Sequence, residues 1–400
     1  MDPPKDIAYP KAIPSGDIEA MMAMWDKNPV SQEFLTYYNR FALKSTQAIA
    51  SLSSDNLIYS PISLYFPLML NLEGSGGTTR EELKKVLYAD NENIAEQMSH
   101  LYTRLYLNND TGYTAIANSL WVHPDVKVND AFMDTAIKDF YTAVYSRDMS
   151  LEHTRKEMGA WVKAHTNGGI TPIIEPNEGP VQILNTISLK MKWATPFDKK
   201  ETSIQKFYVK DTEAIEVPFM KNRFESSFFQ ETDAYVEYAL PMHEDYKLHV
   251  ILPNKDMTPY KVLKDPNLLQ DVLNQKHLQE GDITLHMPKV ELHSKVSLKK
   301  PLYKLGIQQM FQSNADFTNM SKQTPLFVGD IQQEALISWD EEGVEASAFT
   351  REIMCTSAPP KEKRKLDINL NRPFIYVIEQ KIDKTSIPLF IGICDHPLRG

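Results

Sequence analysis

His243-Glu-Asp-Tyr-Lys-Leu-His249 holds two histidines, the residue type that most often binds metals or moves protons near neutral pH. They stand six residues apart, the wrong interval for one helical face, and read as strand-end and loop residues. Gly74-Ser-Gly-Gly-Thr-Thr-Arg-Glu-Glu-Leu83 has the glycines of a phosphate-cradling loop without the Lys-Ser/Thr that completes one. Thr79 with Glu82 reads there as a capping box. The sequence contains no Gly-x-Ser-x-Gly elbow, no His-Glu-x-x-His helix, no Cys-x-x-Cys and no Gly-x-Gly-x-x-Gly. Glu341 and Glu342 are adjacent carboxylates among many, and nothing beside them names a nucleophile or a base. Motif absence does not exclude an enzyme, but an enzyme is the weakest of the readings, and neither cofactor nor metal is expected.

One stretch has a different kind of chemistry. Ala335-Leu-Ile-Ser-Trp339 reads as a buried strand bounded by charge. Asp340-Glu-Glu-Gly-Val-Glu-Ala-Ser-Ala-Phe-Thr350 follows, with Val344, Ala346, Ala348 and Thr350 on one face at a period of two. The segment then ends in Ala358-Pro359-Pro360 and a basic run, which is loop chemistry. It can be a strand in one state and a loop in another, or an ordinary hairpin connection.

The elements that must position this stretch follow from periodicity. Residues 1–30 are rich in Pro, Asp and Lys and read as a loosely held extension. Ser31 to Leu52 has helical spacing. Asn56 to Ser60 reads as a short strand turning through Pro61 into a helix over 64–72, Ser60 being its start signal. A strand at Ala115–Val122, a helix at Phe132–Tyr145 and a helix stop at Thr166-Asn-Gly-Gly169 come next. Gln182–Leu189 reads as a strand buried on both faces. Strands are expected at 205–208, 215–220, 235–240, 248–252 and 283–289, with a helix over 258–277 and another ending at Leu305-Gly306. Phe374–Ile378 and Leu389–Ile393 supply two apolar strands. Helices come early and strands late, so the class is α+β without alternating βαβ units, repeats or a linker.

Composition sets limits. A 400-residue chain with 42% hydrophobic and 24% charged residues can bury a large core. Its net charge of -10 gives no reason to expect nucleic acid as a partner. No run of eighteen apolar residues suggests a membrane span. Two cysteines, Cys355 and Cys394, do not make a disulfide framework. Met1-Asp-Pro-Pro-Lys lacks the pattern of a secretory signal.

Several stretches, in order, resemble the serpins. They are Asn56-Leu-Ile-Tyr-Ser-Pro-Ile-Ser63, Ala117-Asn-Ser-Leu-Trp121, Trp161-Val-Lys-Ala-His-Thr166, Leu184-Asn185, and Trp193 through Pro196-Phe197 to Thr202. Ala315-Asp-Phe317, Glu341-Glu-Gly-Val-Glu-Ala346, Asn371-Arg-Pro-Phe374 and Pro388-Leu-Phe-Ile-Gly392 complete the set. The likeness runs from about residue 31 to 397. It implies one domain over 31–400, with three β-sheets, about nine helices and an exposed reactive-centre loop at about 341–372. The loop of an inhibitory member inserts into the central sheet after cleavage, a strand addition used mechanically.

By this resemblance Glu341, Glu342, Gly343, Val344, Glu345, Ala346, Ser347 and Ala348 are the hinge. The residue read by the protease lies sixteen beyond Glu341 and is Ser357, so the reactive bond is Ser357–Ala358. Met354, Cys355 and Thr356 compete if the register shifts. Arg351 leaves too short a strand and Arg364 too long a one. Ser60, Ser63, Asn185, Trp193, Thr202 and Gln333 are implied to form the region where the sheet opens, plain core packing being the alternative.

The expected function is suicide-substrate inhibition of an elastase-like serine protease, in a covalent complex, by a monomer acting outside the cell or at its surface. A cytoplasmic site, a non-inhibitory carrier cleaved as a substrate, and inhibition of cysteine proteases stay open. Gln333 stands where the family often has a histidine, Gly159 and Gly169 depart from the usual Asn and Lys, and Glu352 has inward parity. Lys361-Glu-Lys-Arg-Lys365 reads as a solvated spacer rather than an exosite.

Overall fold

The computed structural model describes residues 7–52, 56–89, 93–176, 179–210, 212–322, 326–329, 331–344 and 364–398. The helices in chain order are α1 (Ile18–Lys27), α2 (Gln32–Ala50), α3 (Pro61–Gly74), α4 (Gly77–Leu87), α5 (Ile94–Leu105) and α6 (Asp130–Lys138). They continue with α7 (Glu152–His165), α8 (Pro259–Val262), α9 (Leu268–Leu273) and α10 (Lys299–Leu305). The strands begin with β1 (Leu57–Tyr59), β2 (Leu107–Asn109), β3 (Gly112–Val122), β4 (Thr142–Ser146) and β5 (Val181–Lys192). Next come β6 (Ser203–Lys210), β7 (Glu213–Glu231), β8 (Tyr235–Pro241), β9 (Tyr246–Pro253), β10 (Leu278–Pro288) and β11 (Val290–Ser297). The last are β12 (Gln332–Trp339), β13 (Gly343–Val344), β14 (Arg364–Asn369), β15 (Phe374–Ile382) and β16 (Thr385–Cys394). Three sheets and ten α-helices among the described residues make the α+β fold that the sequence implies.

Contacts divide the chain into two compact units. The first comprises residues 1–49, 60–189 and 295–335. Its centre is α3, apolar on every side and buried along nearly its whole length, as a helix inside a core must be. Ser60 caps it by accepting from the Ser63 N–H, and Pro61 sits at the first helical position. Phe34, Tyr38 and Phe41 of α2 close on the Tyr65 ring of α3. Under α7, Trp161, Met158 and Val162 pack on Ala117 and Trp121 of β3. The N-terminal extension is more ordered than its composition suggests. Helix α1 starts at the Asp17 cap, and its Trp25 ring lies 4.9 Å from the Arg104 guanidinium of α5.

The second unit comprises residues 50–59, 190–294 and 336–400. It is built on a nine-stranded sheet ordered β1-β16-β15-β9-β8-β7-β10-β14, with β6 added on β7. Strands β15 and β16 are nearly continuous apolar runs because both faces are covered. Strand β14 runs parallel to β10, with Arg364 opposite Gly281. Arg364 also pairs with Glu231 and Gln279, so the basic run ends in a strand rather than in a spacer.

Strand β5 carries the chain from the first unit into the second. It pairs with β3 and, at its end, with β13, while the ladder partner of β12 is β11. Among the described residues no ladder joins β5 to β12. Strand β5 is half-buried rather than covered on both faces as the sequence suggests.

Other expectations need correction. The helix expected over 132–145 ends at Lys138, and residues 142–146 form β4 beside β3. The helix over 258–277 is two short pieces. Thr79 and Glu82 form no capping box. Thr79 Oγ1 accepts from the Asp316 N–H, and Glu82 accepts from the N–H groups of Gln308 and Gln309. Tertiary donors outbid the local cap.

Candidate functional site

The hinge expected from sequence is described as far as Val344. Glu345, Ala346, Ser347, Ala348 and the bond Ser357–Ala358 lie outside the described residues. After Trp339 ends β12, the chain turns at Asp340, whose side chain accepts from the Glu342 N–H at 2.9 Å. Trp193, fully buried, donates its indole N–H to the Asp340 carbonyl at 2.8 Å. Its backbone N–H reaches the Glu342 carbonyl at 3.1 Å, and the Phe197 N–H reaches that of Glu341 at 2.8 Å. The turn is therefore held through its backbone by residues 193–197, and Trp193 does more than fill the core.

Glu341 is 4% exposed, so its charge needs partners. Thr202 Oγ1 donates to one carboxylate oxygen at 2.7 Å and Lys289 Nζ to the other at 2.8 Å. Burial pushes its pKa up, but these two hydrogen bonds outweigh it and the carboxyl is held below its ordinary value. Glu342 pairs with Lys199 nearer the surface, which raises the lysine's pKa. Gly343 and Val344 then pair antiparallel with Lys192 and Met191 of β5. A Cβ on Gly343 would run into the Met191 carbonyl, so only glycine lets the chain approach this closely. Val344 is 3% exposed, opposite the fully buried Met191.

A second cluster lies in the first unit. Both ends of the buried Gln333 amide bind Ser60: Oε1 accepts from its N–H at 2.8 Å and Nε2 donates to its carbonyl at 2.9 Å. Ser63 Oγ donates to Asn185 Oδ1, and Asn185 Nδ2 donates to Asn118 Oδ1. Beside these groups is a cavity of about 50 Å³ between α3, β5 and the start of β12. Ser60, Ser63, Asn185 and Gln333 thus come together, as do Trp193 and Thr202 with Glu341, Glu342, Gly343 and Val344.

Sequence reasoning missed Lys289, Lys199 and Asn118. It also misplaced His249, which is no strand-end residue. His249 lies mid-way along β9, fully buried, 2.7 Å from Glu237 of β8 and 3.3 Å from Glu379 of β15. The signal available was an ionisable residue set among the apolar residues of each of three strands, Glu237, His249 and Glu379. Burial lowers the imidazole pKa, but the two carboxylates overcome this and hold it at about 9. Cys394 is buried and forms no disulfide among the described residues. Among the described residues, no helix is long and apolar enough to cross a membrane.

A family model described as Serpin (serine protease inhibitor) matches residues 36–397. Plasminogen activator inhibitor 1 of Neovison vison is 29% identical over 373 residues, 88% of this chain and 90% of that protein. Human Serpin B4 is 26% identical over 386 residues, 90% of this chain and 98% of its own length. Among solved structures, the native state of the thermophilic serpin tengpin superposes with a TM-score of 0.80 at 22% identity, covering 96% of each chain. Human thyroxine-binding globulin in its hormone complex gives 0.80 at 22% identity, over 92% of this chain and 99% of that one. The fold is thus shared by proteins whose names describe inhibition and by one whose name describes binding.

Proposed function

Because the chain belongs to the serpin family, we propose that it is a suicide-substrate inhibitor of serine endopeptidases of elastase-like specificity, acting outside the cell. One observation carries this reading. Two rungs of an added strand, Gly343 on Lys192 and Val344 on Met191, already exist at the end of β5, and among the described residues no strand continues along that edge of β5. A new strand could grow there by propagation, which needs no fresh nucleation.

The chemistry would begin as ordinary acyl transfer. The protease serine attacks the Ser357 carbonyl, the amine of Ala358 leaves with a proton, and Ser357 is held to the enzyme as an ester. Ser357 is small and suits a shallow specificity pocket. Freed from Ala358, the segment after Val344 zips along β5. From Gly343 to Ser357 the added strand would span roughly 50 Å at about 3.3 Å per residue. The tethered protease is dragged that distance, and a displacement of only about 1 Å in a catalytic group already costs about 100-fold in rate. Trapping succeeds when insertion outruns hydrolysis of the ester. The hinge cluster around Glu341 fixes the start of the zipper, and the Ser60–Gln333 and Ser63–Asn185–Asn118 bonds border its path. The small or β-branched residues Val344, Ala346, Ala348 and Thr350 suit the inward face.

The test is incubation with a pancreatic-type elastase, read on a denaturing gel and by intact mass. A denaturant-resistant complex with a released peptide beginning at Ala358 is expected. Clean cleavage without complex would overturn the inhibitory reading in favour of a carrier cleaved as a substrate. A complex released from a different bond would leave inhibition standing and move the reactive site.

A further inference from the structure

The C-terminal end of α3, the first turns of α6 and residues 318–322 enclose a groove of about 790 Å³ in the first unit. Small-molecule sites measure about 300–1,000 Å³. The walls are preformed. Asn129 donates its side-chain amide to the Thr318 and Asn319 carbonyls at 3.0 and 2.9 Å, and Asn319 donates to the Ser75 carbonyl at 2.8 Å. A Cβ on Gly74 would lie 3.0 Å from both Met320 Cε and the Phe132 ring, so glycine lets the end of α3 close on α6 and on this loop.

Four ionisable side chains line the groove, and they differ in depth. Glu73, at the end of α3, is half-buried, and among the described residues its carboxylate makes no hydrogen bond and no ion pair. Burial pushes its pKa up, Arg80 of α4 draws it down, and Asp139 beyond α6 adds to the rise. Lys127, Asp130 and Lys322 are exposed. Two carboxylates and two ammonium groups leave the lining neutral overall. A ligand of a single charge gains at one end and loses at the other, whereas a dipolar one gains at both. The buried Phe132 and Val128 supply apolar surface between the charges, and an aromatic ring suits an organic ammonium. The start of α6 has the opposite preference. Asn129, its N-cap, makes no side-chain capping bond, its amide being turned to the 318–319 carbonyls, so the opening N–H groups favour an anionic group beside Lys127.

We propose that this groove binds a small zwitterionic amine, an ω-amino acid by chemical class, with its ammonium on Glu73 and its carboxylate at the start of α6. The groove shares no lining residue with the cavity beside Ser63 and Asn185, and the inference does not depend on loop insertion. An ammonium supplies the donors that a half-buried carboxylate otherwise lacks, in a charge-assisted bond. It binds the ionised form of Glu73. Acid that protonates this carboxyl competes with the ligand, and affinity falls about tenfold per pH unit below the raised pKa.

The test is isothermal titration calorimetry of the intact protein near neutral pH. The probes are β-alanine, γ-aminobutyrate and δ-aminovalerate, set against butylamine and butyrate. One of the amino acids is expected to bind at a single site about tenfold more tightly than either one-charge analogue. Glu73→Gln should weaken it about tenfold without lowering the thermal midpoint, because the amide removes a charge that no described partner holds. Lys127→Glu and Lys322→Glu, at exposed positions that leave folding intact, should weaken the amino acid and strengthen butylamine. No single-site binding by any of the three amino acids would overturn the proposal. So would butylamine binding as tightly as they do, or an affinity that neither Glu73→Gln nor the two lysine variants change.

Discussion

His249 shows how far a single residue can shape this chain. Glu237 and Glu379 flank the ring, Gln230 donates to the far oxygen of Glu237, and Lys247 lies 3.7 Å from Glu379. The cation offsets two buried carboxylates, and Glu379 is correspondingly held below its ordinary pKa despite its burial. Removing the imidazole would leave uncompensated charge inside the sheet. His249→Ala is expected to destabilise the protein by about 3–5 kcal/mol in chemical denaturation. The sign of the pH dependence follows from the pKa raised from 6.5 to about 9. The stabilisation is complete below 6.5 and is lost as pH rises through about 9, so the native unfolding midpoint should fall across that window while that of His249→Ala does not follow it. Glu379 acts in the opposite sense, with its share lost as acid protonates it. A midpoint that stays flat in the native protein from pH 6.5 to 9 would rule out a charged His249.

At the scale of elements, Gln333 is the pin between β12 and the start of α3. Its amide satisfies both the N–H and the carbonyl of Ser60, a strand-to-helix junction whose backbone groups are buried. Gln333→Ala strips two partners at once, at a cost of about 1–3 kcal/mol for each group left unsatisfied. A drop of about 2–5 kcal/mol in unfolding free energy is expected, against a negligible change for an exposed control such as Lys206→Ala. Where the family often has a histidine, an amide keeps this contact without a proton that could come and go, so the pin should hold equally from pH 5 to 8. The strand boundaries near it were legible in the sequence, since Ser60-Pro61 and the apolar run after it are local signals. The absence of a β5–β12 ladder among the described residues was not, because a strand does not encode whether its neighbour is present.

For the whole molecule, the decisive quantity is the difference between the uncleaved and the inserted chain. If loop insertion is downhill, the uncleaved fold is held by a barrier and not by being the most stable state. Cleavage in the loop should then raise the thermal midpoint sharply, because the new strand pairs with β5 and buries the small residues beyond Val344. Calorimetry of the intact and elastase-nicked proteins, run at two scan rates, measures this. An unchanged midpoint after nicking would mean that the strand is not added and that the chain works as a binding protein on the same fold.

Local order set much of this protein directly. The helical period of α2, the cap and proline that open α3, the apolar runs of β15 and β16, and the small residues of the hinge are all written over a few neighbouring positions. The chemistry of the site is not local. Thr202 meets Glu341 across 139 residues, Lys289 meets it across 52, and Gln333 meets Ser60 across 273. Each is an ordinary polar residue until packing removes water and leaves it one partner. The same holds for the cavity, whose described lining carries no ionisable group and comes together only when separate stretches of chain are folded around it. Sequence decides which residues can form strands and turns; the tertiary structure decides which charges are compensated when those elements close on one another, because desolvation is a property of the assembled surroundings.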